Sequence, residues 1–97
     1  MDASLDAKTR AKLEHLATQF SQSRAAVLRH VMRWGLHREH IGPIDATAPR
    51  PVQHLFFTVD AALHRQVKAA ARAAEVDVAP WLRQMMRQIT TADFPKS

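Results

Sequence analysis

The sequence contains no cysteine and only two glycines in its 97 residues. The absence of cysteine excludes a disulfide framework and thiolate chemistry. So few glycines leave no phosphate-cradling loop, and the sequence has neither a serine nucleophile elbow nor a recognisable carboxylate pair. No apolar run approaches membrane-spanning length, and none follows a basic segment at the N-terminus. We therefore expect a cytoplasmic protein that is not an enzyme and uses no cofactor.

Basic residues outnumber acidic ones, which gives a formal net charge of +5 and a sequence pI near 10.8. Residues 1–42 carry seven basic against four acidic side chains, and residues 43–97 carry seven against five. Positive charge in both halves of the chain suits a polyanionic partner, although many small basic domains share this balance.

The strongest pattern is an internal repeat. The segment VLRHVMR at 27–33 returns 54 positions later as WLRQMMR at 81–87. At that offset, residues 5–36 align with 59–90 without a gap, and eight of the 32 pairs are identical, which indicates one supersecondary unit written twice. The identical pairs are Asp6/Asp60, Ala7/Ala61, Ala17/Ala71, Ala25/Ala79, Leu28/Leu82, Arg29/Arg83, Met32/Met86 and Arg33/Arg87.

Each copy predicts a strand followed by two helices. Asp6 and Asp60 are expected to cap the first helix of each copy, and Ser23 and Asp77 the second. Apolar residues at helical spacing predict the core, including Leu13, Leu16, Val27, Leu28, Val31, Met32, Val67, Trp81, Leu82, Met85, Met86 and Ile89. The Trp81 and Met85-Met86 cluster is interpreted as core rather than as a cofactor site.

The strand candidates are residues 1–5 and 52–59, and neither can satisfy its backbone hydrogen bonds alone. We therefore predict a mainly helical fold in which the two segments form an antiparallel β-ribbon backed by four helices. The first repeat spans 1–40, a proline-rich linker spans 41–51, the second repeat spans 52–90 and a frayed tail spans 91–97. The two repeats form one compact domain, because each half is too short to bury a core alone.

Strand–helix–helix with Leu5-Asp6, Leu13, Ser23 and Val27-Leu28-Arg29, repeated at the same spacings in the second copy, resembles the ribbon-helix-helix family, which includes the Arc and MetJ repressors. The resemblance covers about 70 residues of the chain and corresponds to the tandem, single-chain form of a fold that usually dimerises. It implies sequence-specific binding of double-stranded DNA through the ribbon in the major groove. The implied role is that of a transcriptional regulator, such as a repressor, or of an accessory factor in conjugative transfer of a plasmid or mobile element.

The resemblance also implies particular DNA contacts. Outward ribbon side chains would read bases: Asp2, Ser4, His54, Phe56 and Thr58. Phosphates would be held at the N-termini of the second helices and by nearby basic side chains. The residues implied are Ser23, Arg24, Val78, Lys8 and Lys12.

Several positions depart from the family pattern. The usual glycine before the second helix is Ser21 in one copy and Glu75 in the other, and Asp77 puts a negative charge where a phosphate should bind. Phe56 cannot hydrogen-bond a base, although it can touch a thymine methyl group. If DNA is bound, these departures imply asymmetric recognition with firmer backbone contacts in the first repeat.

Other side chains have competing interpretations. Phe56 is either a groove-facing reader or a contact with another chain. Arg29 and Arg83 are interpreted as solvated or ion-paired, rather than functional. His30, His37 and His40 could share one helical face, but no cysteine accompanies them and we expect no metal site.

The rival function is a protein-interaction module that keeps the fold and has lost base reading. An antitoxin is ranked last, because such proteins usually carry a long tail and residues 91–97 are too few. The chain is expected to be a monomeric pseudo-dimer or a homodimer that exchanges halves.

Overall fold

A computed structural model describes residues 1–39, 41–47 and 53–94 of the chain. These residues form a two-stranded antiparallel sheet and four α-helices, which confirms the predicted mainly helical class. In chain order the elements are β1 (Asp2–Leu5), α1 (Ala7–Gln19), α2 (Arg24–Leu36), β2 (Gln53–Phe56), α3 (Ala61–Ala73) and α4 (Val78–Gln88).

Side-chain caps fix the start of three helices. Asp6, Ser23 and Asp60 each accept a hydrogen bond from the backbone N–H three residues later, at 2.7, 3.0 and 2.7 Å respectively. The expectation that Asp77 caps α4 is confirmed for its position but not for its side chain. Asp77 occupies the N-cap position, but within the described chain its carboxylate makes no capping hydrogen bond.

Two positions after the first helix of each copy, the chain passes through the left-handed region. Ser21 has φ 52° and Glu75 has φ 62°, a conformation that glycine adopts most readily. At each end, the N–H of the next residue bonds to a carbonyl five residues back, at 2.9 Å after α1 and 3.0 Å after α3. This is the Schellman arrangement, which satisfies carbonyls that the helix leaves without partners.

The ribbon joins the beginning of the chain to its middle. Ala3 lies opposite Leu55, and Leu5 lies opposite Gln53. The side chains of Ala3 and Leu5 are fully buried against the helices, so this face of the ribbon closes the core. The predicted second strand, 52–59, is too long: β2 ends at Phe56, and residue 52 lies outside the described residues.

The core lies between the ribbon and the helices, where the predicted apolar residues of α2 and α4 are buried. Trp81, Met85 and Met86 are at most 1 % exposed, which confirms their assignment to the core. Gly35 allows the close approach of α2 to α4: a Cβ at this position would lie 2.7 Å from Met85 Cγ and 2.9 Å from Trp81 Cη2.

The segment between the repeats packs along α4. Gln88 Nε2 donates to the carbonyl of Ile41 at 3.0 Å, and Gln84 Nε2 donates to the same carbonyl at 3.2 Å. Ile41 and Ile44 pack against the core. Residues 48–51 of the predicted linker lie outside the described residues.

The prediction that the chain frays after Thr90 is wrong for the four residues that follow it. Thr91–Asp93 forms a 3-10 turn, and the ring of Phe94 is 5 % exposed and stacks on Phe20 at a centroid distance of 4.6 Å. The Thr90 N–H donates to the Asp93 carboxylate at 2.8 Å, and this bond lowers the pKa of Asp93. The sequence showed no large apolar residue within four positions before Phe94, so it did not indicate that this ring is buried.

In the described ranges, none of the helices combines the length and apolar character required to cross a membrane.

Replacing Phe94 with alanine should lower the free energy of unfolding by about 2–4 kcal/mol, because the change removes a buried ring and leaves a cavity. Phe56→Ala is the matched control, since the same atoms are lost from a side chain that is 75 % exposed. Urea denaturation of both variants would measure the difference, and equal losses would contradict the docking of the C-terminal turn.

Candidate nucleic-acid interface

The outer face of the ribbon consists of Asp2, Ser4, His54 and Phe56. The strand register places Asp2 opposite Phe56 and Ser4 opposite His54. Phe56 is 75 % exposed and is the only large apolar side chain that stands out in solvent among the described residues. Four of the five predicted base-reading residues are therefore neighbours on one surface, which we call the outer ribbon face.

Hydrogen bonds and ring stacking connect these four side chains. His54 Nδ1 lies 2.9 Å from Asp2 Oδ2, and the Ser4 hydroxyl makes a long contact of 3.5 Å to the same oxygen. The imidazole of His54 is nearly parallel to the Phe56 ring, with an interplanar angle of 16° and a centroid distance of 6.4 Å. The outer ribbon face thus presents a linked polar group beside an aromatic ring.

Thr58, the fifth predicted reader, lies two residues beyond the end of β2. Its side chain is exposed, and its backbone carbonyl accepts a hydrogen bond from Arg29 Nη1 at 3.0 Å. Arg29 therefore positions the backbone that carries the Thr58 hydroxyl.

Among the described residues neither aligned arginine forms an ion pair, and Arg83 is not the solvated side chain that the sequence suggested. Arg83 is 3 % exposed, and its Nη1 donates to the carbonyl of Ser4 at 2.8 Å. Arg29 is half-buried and makes the corresponding bond to Thr58. Burial lowers the pKa of the Arg83 guanidinium, which nonetheless stays charged in proteins. Each arginine ties a second helix to the strand segment of the other copy, and the identity of the pair was the only sequence signal of this role.

The predicted phosphate contacts lie around the helix N-termini. Ser23 is the N-cap residue of α2, and Val78 is the first residue of α4. Arg24 is exposed and pairs with Glu14 at 3.2 Å, and Glu14 also pairs with Arg10. Exposed pairs of this kind contribute at most about 1 kcal/mol, so the Arg24 guanidinium can exchange Glu14 for another anion at little cost.

The two predicted lysines differ in what they can do. Lys8 is exposed on the first turn of α1. Lys12 donates from Nζ to the carbonyl of Arg87 at 3.1 Å, near the C-terminus of α4. A cation is favourable there because of the helix dipole, and burial lowers the pKa of the Lys12 ammonium. Lys12 therefore joins α1 to α4, and Lys8 remains available at the surface.

The histidines considered as metal ligands do not come together in the described ranges. His30 Nε2 lies 2.9 Å from the carbonyl of Asp93 and its ring packs on Phe94, while His37 is exposed. His40 lies outside the described residues. Across 1–39, 41–47 and 53–94, no group of three potential metal ligands is present.

Replacing Arg83 with alanine should lower the free energy of unfolding by about 1–3 kcal/mol, because it leaves the Ser4 carbonyl without its charged donor. Arg29→Ala removes the aligned contact at a more exposed position and should cost less. Urea denaturation would compare the two variants, and amide exchange in β1 would report whether the ribbon loosens. A larger loss for Arg29→Ala would contradict the burial argument.

Comparison with known proteins adds no family, because no family model, curated protein or solved structure matches this chain.

Proposed function

We propose that this chain is a tandem ribbon-helix-helix protein that binds double-stranded DNA with its outer ribbon face in the major groove. Its role is that of a cytoplasmic transcriptional regulator or of an accessory factor at a transfer origin. The observation that carries the proposal is a two-stranded ribbon that buries Ala3 and Leu5 on its inner face and exposes His54 and Phe56 on its outer face.

The strand register supports a two-fold relation between the repeats. In a two-fold antiparallel ribbon, the residue on the axis pairs with its own counterpart. Asp2 pairs with Phe56, and these two residues are 54 positions apart, which is the offset of the sequence repeat. On the other side of Asp2, Met1 and Phe57 exchange both backbone hydrogen bonds and extend the ribbon.

Contacts away from the ribbon axis are related to each other by the same offset of 54 positions. Arg29 bonds to Thr58 and Arg83 to Ser4, and each member of one contact lies 54 positions from a member of the other. The left-handed residues that follow α1 and α3 also differ by 54. A pseudo-two-fold arrangement of two strand–helix–helix units accounts for all of these features together.

The outer ribbon face has the shape and the chemistry for base contacts. The major groove is about 12 Å wide and accommodates a two-stranded ribbon, with outward side chains directed at base edges. His54 and Ser4 supply hydrogen-bonding groups, and Phe56 supplies an apolar surface that suits a thymine methyl group. A net charge of +5 adds attraction for the DNA backbone.

The two phosphate-binding ends are chemically different. The N-terminus of α2 has a neutral cap at Ser23 followed by the exposed guanidinium of Arg24. The N-terminus of α4 has Asp77, whose exposed negative charge repels a phosphate. The proposed complex is therefore asymmetric, with the first repeat holding the DNA backbone more firmly.

Arg24→Ala and Thr58→Ala should weaken DNA binding in different ways. The first variant should lose affinity roughly uniformly across sequences, and its plot of log affinity against log salt should become shallower by about one unit. The second should keep its salt dependence and lose sequence preference, since only the backbone of Thr58 holds Arg29. Gel shifts with a randomised duplex library over a range of salt concentrations would measure both effects.

The absence of binding to any duplex at low salt would reject the DNA-binding proposal. Uniform weakening by both variants would reject Thr58 as a reader and leave the proposal itself standing.

The intramolecular ribbon supports a monomer as the functional unit. Sedimentation velocity should give a mass near 10.9 kDa that does not change with concentration. A mass of twice that value, falling on dilution, would instead support two chains that exchange halves.

The exposure of Phe56 favours one rival, a protein-interaction module with the same fold. That role predicts a stable protein partner on pull-down, protection of β2 amides from exchange in the complex, and loss of the partner in Phe56→Ala. The DNA-binding proposal predicts instead that duplex DNA gives the protection.

A further inference from the structure

We propose that Asp2 sets the proton position of His54, so that the outer ribbon face offers an acceptor at Nε2 and selects the amino group of adenine or cytosine. This inference rests on the proposed function for its DNA partner. It assigns Asp2 a positioning role, in place of the direct base contact implied by the family resemblance.

The two oxygens of the Asp2 carboxylate have different surroundings. Oδ2 lies 2.9 Å from His54 Nδ1. Oδ1 is closed off from solvent and has no hydrogen-bond partner among the described residues. A base in the groove therefore cannot reach Oδ1, and at Oδ2 it would have to compete with the contacts from His54 and Ser4.

The contact between Asp2 and His54 fixes the tautomer. An ionised carboxylate only accepts hydrogen bonds, so the proton between the two groups belongs to Nδ1. In the neutral imidazole the other nitrogen, Nε2, then carries a lone pair and accepts. Carboxylates orient histidines in this way in metal sites, where the second partner decides which ring nitrogen is available.

The ring has little freedom to present another edge. His54 Nδ1 is bonded to Asp2 Oδ2, and the imidazole lies nearly parallel to the ring of Phe56. The side chain of His54 is nevertheless 55 % exposed, which leaves the ring accessible to a ligand. The acceptor is thus held in one direction, beside an apolar ring.

An acceptor at Nε2 favours particular bases, because the four bases present different groups in the major groove. In the major groove, donors are the adenine N6 and cytosine N4 amino groups, whereas guanine O6 and N7 and thymine O4 are acceptors. An acceptor at Nε2 bonds to the first two bases and is opposed by the lone pairs of the others. Phe56, next to His54, can rest on the methyl group of a thymine at a neighbouring pair.

The tautomer can be measured without DNA. In the whole protein at about pH 8, where an ordinary histidine is neutral, nitrogen NMR of the His54 ring should show a protonated Nδ1 and an unprotonated Nε2. In Asp2→Ala the protonated Nδ1 should cease to predominate. A proton on Nε2 in the unaltered protein would overturn the inference, whatever the protein binds.

The base preference is measured by selection from a randomised duplex library at the same pH. The unaltered protein should prefer adenine or cytosine at one position of the site, and Asp2→Ala should reduce that preference about tenfold while the other positions keep theirs. Glu39→Ala is the matched control, because it removes an exposed carboxylate outside the ribbon and changes the net charge equally.

These experiments distinguish a failure of the DNA-binding proposal from a failure of the tautomer proposal. If the unaltered protein binds no duplex, the proposed function fails, and the ring measurement still decides the tautomer. If it binds duplex and Asp2→Ala leaves every base preference unchanged, or changes it no more than Glu39→Ala does, the inference is overturned and DNA binding stands. A dispersed amide spectrum for Asp2→Ala checks that the fold is retained.

Discussion

Pairing between β1 and β2 is the constraint on which the rest of this fold depends. The strands are contributed by parts of the chain about 50 residues apart, with two helices between them, so pairing the strands closes a long loop. Closing a loop of that length costs conformational entropy, but this cost grows only slowly with length. The buried side chains of Ala3 and Leu5 offset it, and Arg83 adds a charged hydrogen bond to the same strand. Loss of the ribbon would expose the core and dismantle the outer face together.

Local and periodic patterns in the sequence were sufficient to predict the helices and the residues of the buried core. Helices α1 and α3, the caps at Asp6 and Asp60, and the buried stripe on α4 follow from spacing within about 20 residues of sequence. The errors at Arg83 and Phe94 concern contacts between distant residues. A buried arginine needs an acceptor, and the acceptor of Arg83 is a carbonyl 79 positions away. Likewise, the sequence around Phe94 gave no sign of its burial, because the rings that it contacts belong to Phe20 and His30, which are distant along the chain.

Scarcity of glycine has a local consequence at two turns. Ser21 and Glu75 adopt a left-handed conformation that costs a residue with a Cβ roughly 1–2 kcal/mol. Schellman hydrogen bonds at both turns offset that strain. Their recurrence at the repeat offset shows that the turn geometry, rather than the glycine usual in the resembled family, is what the two units share. Polar side chains at these turns then remain exposed next to the N-termini of α2 and α4.

Aligned positions of the two repeats fall into two groups that differ in their role. Where the two copies are identical, the residues mostly support the scaffold, as with the caps at Asp6 and Asp60 and the paired arginines. At the outward positions of the ribbon and at the starts of the second helices, the copies differ: Asp2 aligns with Phe56, and Ser23 aligns with Asp77. The two halves of a symmetric homodimer cannot differ in this way, because both have the same sequence. On the proposal of DNA binding, a fused chain with unlike halves matches a target whose two half-sites also differ, and a palindromic site would leave one half poorly contacted.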